Sequence, residues 1–134
     1  MVPIDVDLIR LYLHVLAATV WVGGQITLAG LVPTLRELGP DAPARAARAF
    51  NRVAWAAFAV LIVTGVWNVA VLDVSTRSTQ YQVVLLVKLL VVAASGVSAA
   101  VHAGARTRLV LIIGGATTLV TALGALFLGV WLHG

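Results

Sequence analysis

The chain has 134 residues, of which 61% are hydrophobic and only 10% are charged, and its mean hydropathy is +1.05. A water-soluble domain of this composition would expose more apolar surface than water tolerates, so the sequence predicts an integral membrane protein. The formal net charge is +4 and cysteine is absent, which excludes disulfides and thiolate metal sites. The arginines lie beside apolar segments, as membrane orientation requires, so we expect no nucleic-acid partner.

Four apolar segments are long enough to cross a bilayer, because a span needs roughly 20 residues at about 1.5 Å each. The short loops between them predict that consecutive helices are antiparallel neighbours. The predicted fold class is all-α, a single four-helix transmembrane bundle over residues 1–134 with up-down topology. No segment is typical of a cleavable signal peptide, since the N-terminus is acidic where such a peptide is basic. The predicted helices cover residues 8–35, 50–72, 81–102 and 109–132.

The arginines predict the orientation of these helices. The first and third loops carry most of them, and the positive-inside rule places those loops in the cytoplasm. Both termini are then expected on the outer side of the cytoplasmic (inner) membrane. The ARAARAF stretch of the first loop is predicted to approach the second helix along the lipid headgroups. The arginines of the two loops are Arg36, Arg45, Arg48, Arg52, Arg106 and Arg108, against Arg10 and Arg77 on the opposite side.

A histidine lies inside the first apolar segment, LYLHVLAATVWVGG. An ionisable side chain within a membrane span is costly, so His14 is a functional-site hypothesis by default. Ala18, Trp21 and Gln25 follow it at steps of four, three and four, which places all four side chains on one helical face.

Two further polar side chains are predicted at the depth of His14. Counted from the outer ends at about 1.5 Å per residue, His14 lies about 9 Å deep, Lys88 roughly 8–10 Å and Asn68 about 7 Å. We therefore predict an outward-facing site made of His14, Lys88 and Asn68, with Trp21 as a further cofactor-binding residue. Thr64 shares a face with Asn68 and is expected to join helices. Packing against neighbouring helices is the alternative role of Trp21.

Each of these polar residues has a structural alternative. Lys88 reaches the outer headgroups if its stem snorkels. His14 is a packed core residue if it only hydrogen-bonds a neighbouring carbonyl or Asn68. His102 is expected at the cytoplasmic headgroups, and His133 at a solvated helix end.

Small residues recur every four positions in the third and fourth helices. Such rows let helix backbones approach closely in a membrane, within one bundle or between protomers. The expected partners are therefore the lipid bilayer and either a second copy of the chain or a larger membrane complex. The two rows are Gly96, Ala100 and Gly104, and Thr121, Ala125 and Gly129.

Four segments, taken in order, resemble the CopD-like membrane proteins: HVLAATVWVGG, RAFNRVAW, TGVWN and LLVKLL. That family covers the copper resistance protein D domain and, more distantly, the HemJ-type protoporphyrinogen oxidases. The resemblance spans roughly residues 8–102. It implies copper uptake or homeostasis, or else a haem b protein that depends on a first-helix histidine and a third-helix lysine, which match His14 and Lys88. The chain departs from copper transporters in lacking cysteine and internal methionine, and it is shorter than a full copper resistance D protein.

Three functions are consistent with these observations. The first is copper handling, with His14 as the metal ligand, because imidazole suits copper(II). The second is a haem b redox protein that transfers electrons or oxidises a porphyrin or quinone. In it His14 is an axial ligand and Lys88 pairs with a propionate or an anionic substrate. The third is a non-catalytic accessory subunit of a larger membrane complex, so the sequence leaves open whether the protein is an enzyme.

Overall fold

The computed structural model describes residues 4–134, and those residues contain four α-helices and no strand. The predicted all-α class and the number of helices are therefore confirmed for this part of the chain. Residues 1–3, which include Met1, the chain's one methionine, lie outside it. A single 3-10 turn at Val74–Thr76 precedes the third helix. The helices are α1 (Val6–Leu38), α2 (Ala42–Val71), α3 (Thr79–Ala103) and α4 (Arg108–His133).

The helices extend beyond the apolar segments that predicted them. α2 begins at Ala42 rather than at residue 50, so the stretch predicted as a loop forms its first turns. Pro43 lies in the first turn, where a missing N–H costs nothing, and the Ala- and Arg-rich residues after it are strong helix formers. α1 continues past Pro33 to Leu38. Hydropathy therefore predicted the apolar part of each helix and missed the ends that extend beyond it.

The chain divides into two compact units, Met1–Leu72 and Asp73–Gly134. The first unit contains α1 and α2, and the second contains α3 and α4. Each unit is a helical hairpin, as the short loops predicted. The single four-helix domain and the outer position of both termini stay predictions.

The first unit is an antiparallel hairpin. His14 contacts Thr64, and Gly24, further along α1, contacts Phe50, which comes earlier in α2. Gly24 lies so close to the Phe50 ring that a Cβ atom on residue 24 would overlap the ring carbons. The absence of a side chain at Gly24 is therefore what lets the two helices approach at this point.

The second unit is also an antiparallel hairpin. The Ser95 hydroxyl donates to the Thr118 carbonyl at 3.4 Å, and His102 Nδ1 donates to the Leu111 carbonyl at 2.8 Å. The His102 ring also lies against Gly115 of α4, and its Cβ lies against Gly114. His102 Nδ1 is thus satisfied by α4, where glycines leave room for the ring, and the expected contact of His102 with lipid headgroups stays a prediction.

The outward faces of the helices are apolar. Each helix contains an 18-residue window of mean hydropathy between 1.7 and 2.3, and at most 17% of any such window is buried. Apolar surface on that scale needs lipid around it, because water would not tolerate its exposure. The chain is therefore a multi-pass membrane protein, as its composition predicted. Its membrane and any protein partner stay predictions.

Candidate functional site

Thr64 of α2 is the partner of His14. His14 Nδ1 and Thr64 Oγ1 are 2.8 Å apart, and Thr64 is only 3% exposed. The same hydroxyl lies 2.7 Å from the carbonyl oxygen of Val60 and 3.3 Å from that of Leu61. The sequence predicted that Thr64 joins helices, and the structure shows that it does so through the histidine.

This hydrogen-bond network determines the tautomer of His14. A carbonyl oxygen only accepts, so the Thr64 hydroxyl hydrogen points at the Val60 carbonyl and the Thr64 oxygen accepts from His14. Nδ1 therefore carries a proton, and in the neutral imidazole the lone pair is on Nε2. A hydrogen bond from one ring nitrogen orients the ring and raises the basicity of the other nitrogen, which is how proteins prepare a histidine to bind a metal.

Gly65 and Asn68 of α2 also lie on the side of the helix that carries Thr64. A Cβ atom on Gly65 would lie 3.7 Å from His14 Cε1, an ordinary van der Waals contact, so Gly65 leaves space beside the ring. Asn68 is half-buried and lies one helical turn beyond Thr64 on the same face of α2. The sequence considered a neighbouring carbonyl or Asn68 as a hydrogen-bond partner of His14, and the structure shows Thr64 in such a role.

Trp21 lies in an aromatic cluster with Trp55 and Phe58. Its ring centroid is 4.6 Å from that of Phe58 and 5.7 Å from that of Trp55, and Trp21 is 4% exposed. Offset and edge-to-face contacts of this kind stabilise packing between helices. The observed role of Trp21 is therefore to hold α1 against α2. Its predicted role in binding a cofactor stays a prediction.

Lys88 belongs to the second unit, where it crosses to the surface of α4. Its Nζ lies 3.1 Å from the position that a Cβ atom on Gly129 would occupy. Because Val91 contacts Gly124 in this antiparallel pair, a side chain that reaches Gly129 leans toward the start of α3. Helical side chains tilt in that direction, which is outward in the predicted topology. Lys88 is half-buried and has no ion pair within residues 4–134.

The predicted site made of His14, Lys88 and Asn68 would combine residues of both units. The structure brings His14, Thr64 and Asn68 onto facing sides of one hairpin, and it places Lys88 on the other hairpin. The shared layer therefore stays a prediction.

Arg10, whose charge predicted only the orientation of the helices, also lies in this region. Its side chain is 13% exposed, and its Nε and Nη1 atoms are buried without a hydrogen bond within residues 4–134. Arg10 precedes His14 by four residues, so both lie on one face of α1. That spacing was the available signal, but the burial of the guanidinium could not be predicted from it.

Comparison with family models, with curated proteins and with solved structures finds no match to this chain. The resemblance to CopD-like proteins therefore stays a hypothesis, and functional arguments depend on the geometry around His14.

The Thr64 hydroxyl predicts a measurable effect on whatever His14 binds. We expect Thr64→Val to weaken binding of the His14 ligand by about 10–100-fold, as is usual when a ligating histidine loses its orienting partner. Ligand titration of the purified variants in detergent measures the change. The matched control is Thr118→Val, because Thr118 is also buried and also donates to the carbonyl four residues earlier, at 2.7 Å. Equal affinities of the two variants would contradict the role given to Thr64.

Proposed function

We propose that this protein is a haem b-binding redox protein of the cytoplasmic membrane, with His14 as an axial ligand of the haem iron. The observation that carries the proposal is the hydrogen bond from His14 Nδ1 to Thr64, which fixes the orientation of the imidazole. A neutral imidazole held in one orientation is the form in which histidine binds haem iron.

The donor set favours haem over a copper ion. No group of three His, Cys, Asp or Glu side chains within residues 4–134 is arranged to hold a metal ion. A copper(II) ion bound by protein alone needs several nitrogen or oxygen ligands. Haem iron needs fewer protein ligands, because the porphyrin supplies four nitrogens, so one imidazole such as that of His14 suffices. The residues present therefore fit haem better than the copper site that the sequence put first.

In this proposal each residue has a defined task. His14 binds the iron, and Thr64 keeps the ring in one orientation and one tautomer. Lys88, a cation without an ion-pair partner in its own unit, is available to a propionate or an anionic substrate. The haem supplies reversible one-electron chemistry, and the substrate class is a porphyrin or a membrane quinone.

An optical spectrum of the purified protein, with elemental analysis for iron and copper, tests the proposal. We expect a Soret band, a band shift on reduction with dithionite, and iron near one atom per haem-loaded chain. Copper without a Soret band would overturn haem binding and support copper handling. A colourless protein with neither metal, even after incubation with haemin, would overturn both and leave an accessory subunit.

A further inference from the structure

Arg10 carries buried hydrogen-bond donors that the described chain does not satisfy. Its side chain is 13% exposed, and neither Nε nor Nη1 makes a hydrogen bond within residues 4–134. Asp7 Oδ1 forms an ion pair with Nη1 at 2.9 Å, but the contact lacks hydrogen-bond geometry and leaves Nε without an acceptor. The Asp7 side chain is itself 69% exposed, so water solvates its carboxylate.

Buried donors without acceptors are rare in folded proteins, because each loses its hydration and gains nothing in return. For a guanidinium the loss is larger, since the group stays charged. Such a group requires an explanation, and a bound ion or ligand that supplies the acceptors is one. The planar fork of Arg10 matches the two oxygens of a carboxylate, and a charged donor strengthens each hydrogen bond.

The position of Arg10 relates it to His14. Residues four apart in a helix have their Cβ atoms about 5–6 Å apart on one face. Helical side chains lean toward the N-terminus, so the Arg10 guanidinium extends from one turn before His14 toward the start of α1, where Asp7 lies. Arg10 lies one helical turn before His14. A ligand that is bound by His14 and carries acidic groups at its edge could therefore place one of them beside Arg10.

We infer that Arg10 binds a propionate carboxylate of the haem whose iron is bound by His14. The inference rests on the proposed function and adds the residue that recognises the acidic edge of the ligand. Arg10 Nε–H and Nη1–H donate to the two carboxylate oxygens. The site thereby distinguishes a porphyrin that carries free propionates from one in which they are esterified.

The experiment uses haemin and haemin dimethyl ester, titrated into the full-length protein stripped of haem in a neutral detergent. The Soret shift reports ligation by His14, and its concentration dependence gives the affinity. We expect the wild type to bind haemin about 10–100-fold more tightly than the ester, the ratio typical of a charge-assisted pair. Arg10→Gln should lose most of this preference while binding the ester as the wild type does.

Two further variants make the result specific. Arg36→Gln is the matched control, because Arg36 lies on the same helix but is exposed in its last turn. It should keep the full preference for haemin. Arg10→Lys retains the charge but lacks the planar fork of the guanidinium. If Arg10 makes two parallel hydrogen bonds, the preference of this variant for haemin over the ester should be about tenfold smaller than that of the wild type. Unchanged ester binding shows that a variant is folded.

The outcomes separate this inference from the function on which it rests. If haemin and its ester bind the wild type equally, or if Arg10→Gln keeps the preference, Arg10 has another partner, such as a lipid phosphate, and the inference is wrong. In both cases haem binding by His14 stands. If Arg10→Gln does not fold, a full preference in Arg10→Lys overturns the inference. If neither porphyrin shows a ligated spectrum with the wild type, the proposed function fails, and the inference falls with it.

Discussion

Replacing His14 by alanine is expected to abolish the Soret band of the purified protein. The reason is that His14 Nε2 supplies the bond to iron, whereas Thr64 only orients the ring. The affinity for haem should therefore fall by more than the roughly 10–100-fold expected for a lost orienting partner. The measurement is the haem content of the variant, followed by titration with haemin.

His133→Ala is the matched control for this result. His133 is the last residue of α4 and is exposed, so its loss should leave the haem content unchanged. Added imidazole should restore part of the Soret band to His14→Ala, because a small ligand can enter the space left by the side chain. If His14→Ala keeps the wild-type spectrum, His14 is not the ligand.

Replacing Gly24 by alanine is expected to destabilise the first unit by about 1–3 kcal/mol, the usual cost of adding volume at a close-packed contact. The added Cβ atom would overlap the Phe50 ring, so the ring must move or the helices must separate. The measurement is the unfolding transition of the purified variant in detergent. Gly23→Ala is the matched control, since a Cβ atom at Gly23 would have no neighbour within 4 Å.

A double-mutant cycle with Phe50 tests the cause of this effect. Phe50→Leu removes the ring edge that faces Gly24, so Gly24→Ala should cost less in that background. The coupling energy is expected in the range of about 0.5–3 kcal/mol that residues in contact show. If Gly23→Ala and Gly24→Ala destabilise equally, a general effect of alanine explains the result and the close contact does not.

The two variants separate ligand binding from helix packing. His14→Ala removes a side chain at a half-buried position, so haem content should change more than the unfolding of the apo-protein. Gly24→Ala acts at another level of the same hairpin, so the unfolding transition should change first. A haem loss in both variants, with unfolding altered only in Gly24→Ala, would show that α1–α2 packing positions His14.

The sequence predicted helix positions well where lipid determines them and poorly where it does not. The start of α2 at Ala42 was missed, because hydropathy detects residues that avoid water, whereas alanine and arginine extend a helix through the headgroup region. The third and fourth helices were predicted to within a few residues, since their apolar segments and their helices nearly coincide.

The sequence also predicted some of the functional residues and missed the role of others. His14 was found from the sequence, because an ionisable group in a membrane span stands out against its neighbours. Its partner Thr64 was placed on the right helix but was given only a packing role. The pairing depends on how α1 and α2 are rotated against each other, and fixed periodicity within one helix carries no information about that rotation.

The sequence by itself determined that this is an all-α membrane protein of four helices with a histidine inside the first, because burial in lipid demands apolar segments of a set length. Only the tertiary structure decided the tautomer of His14, the packing of Trp21 and the burial of Arg10. Each of these depends on which atoms of a second helix lie within hydrogen-bond or van der Waals distance. Such contacts arise from the close approach of helices, which Gly24 permits and which no single segment specifies.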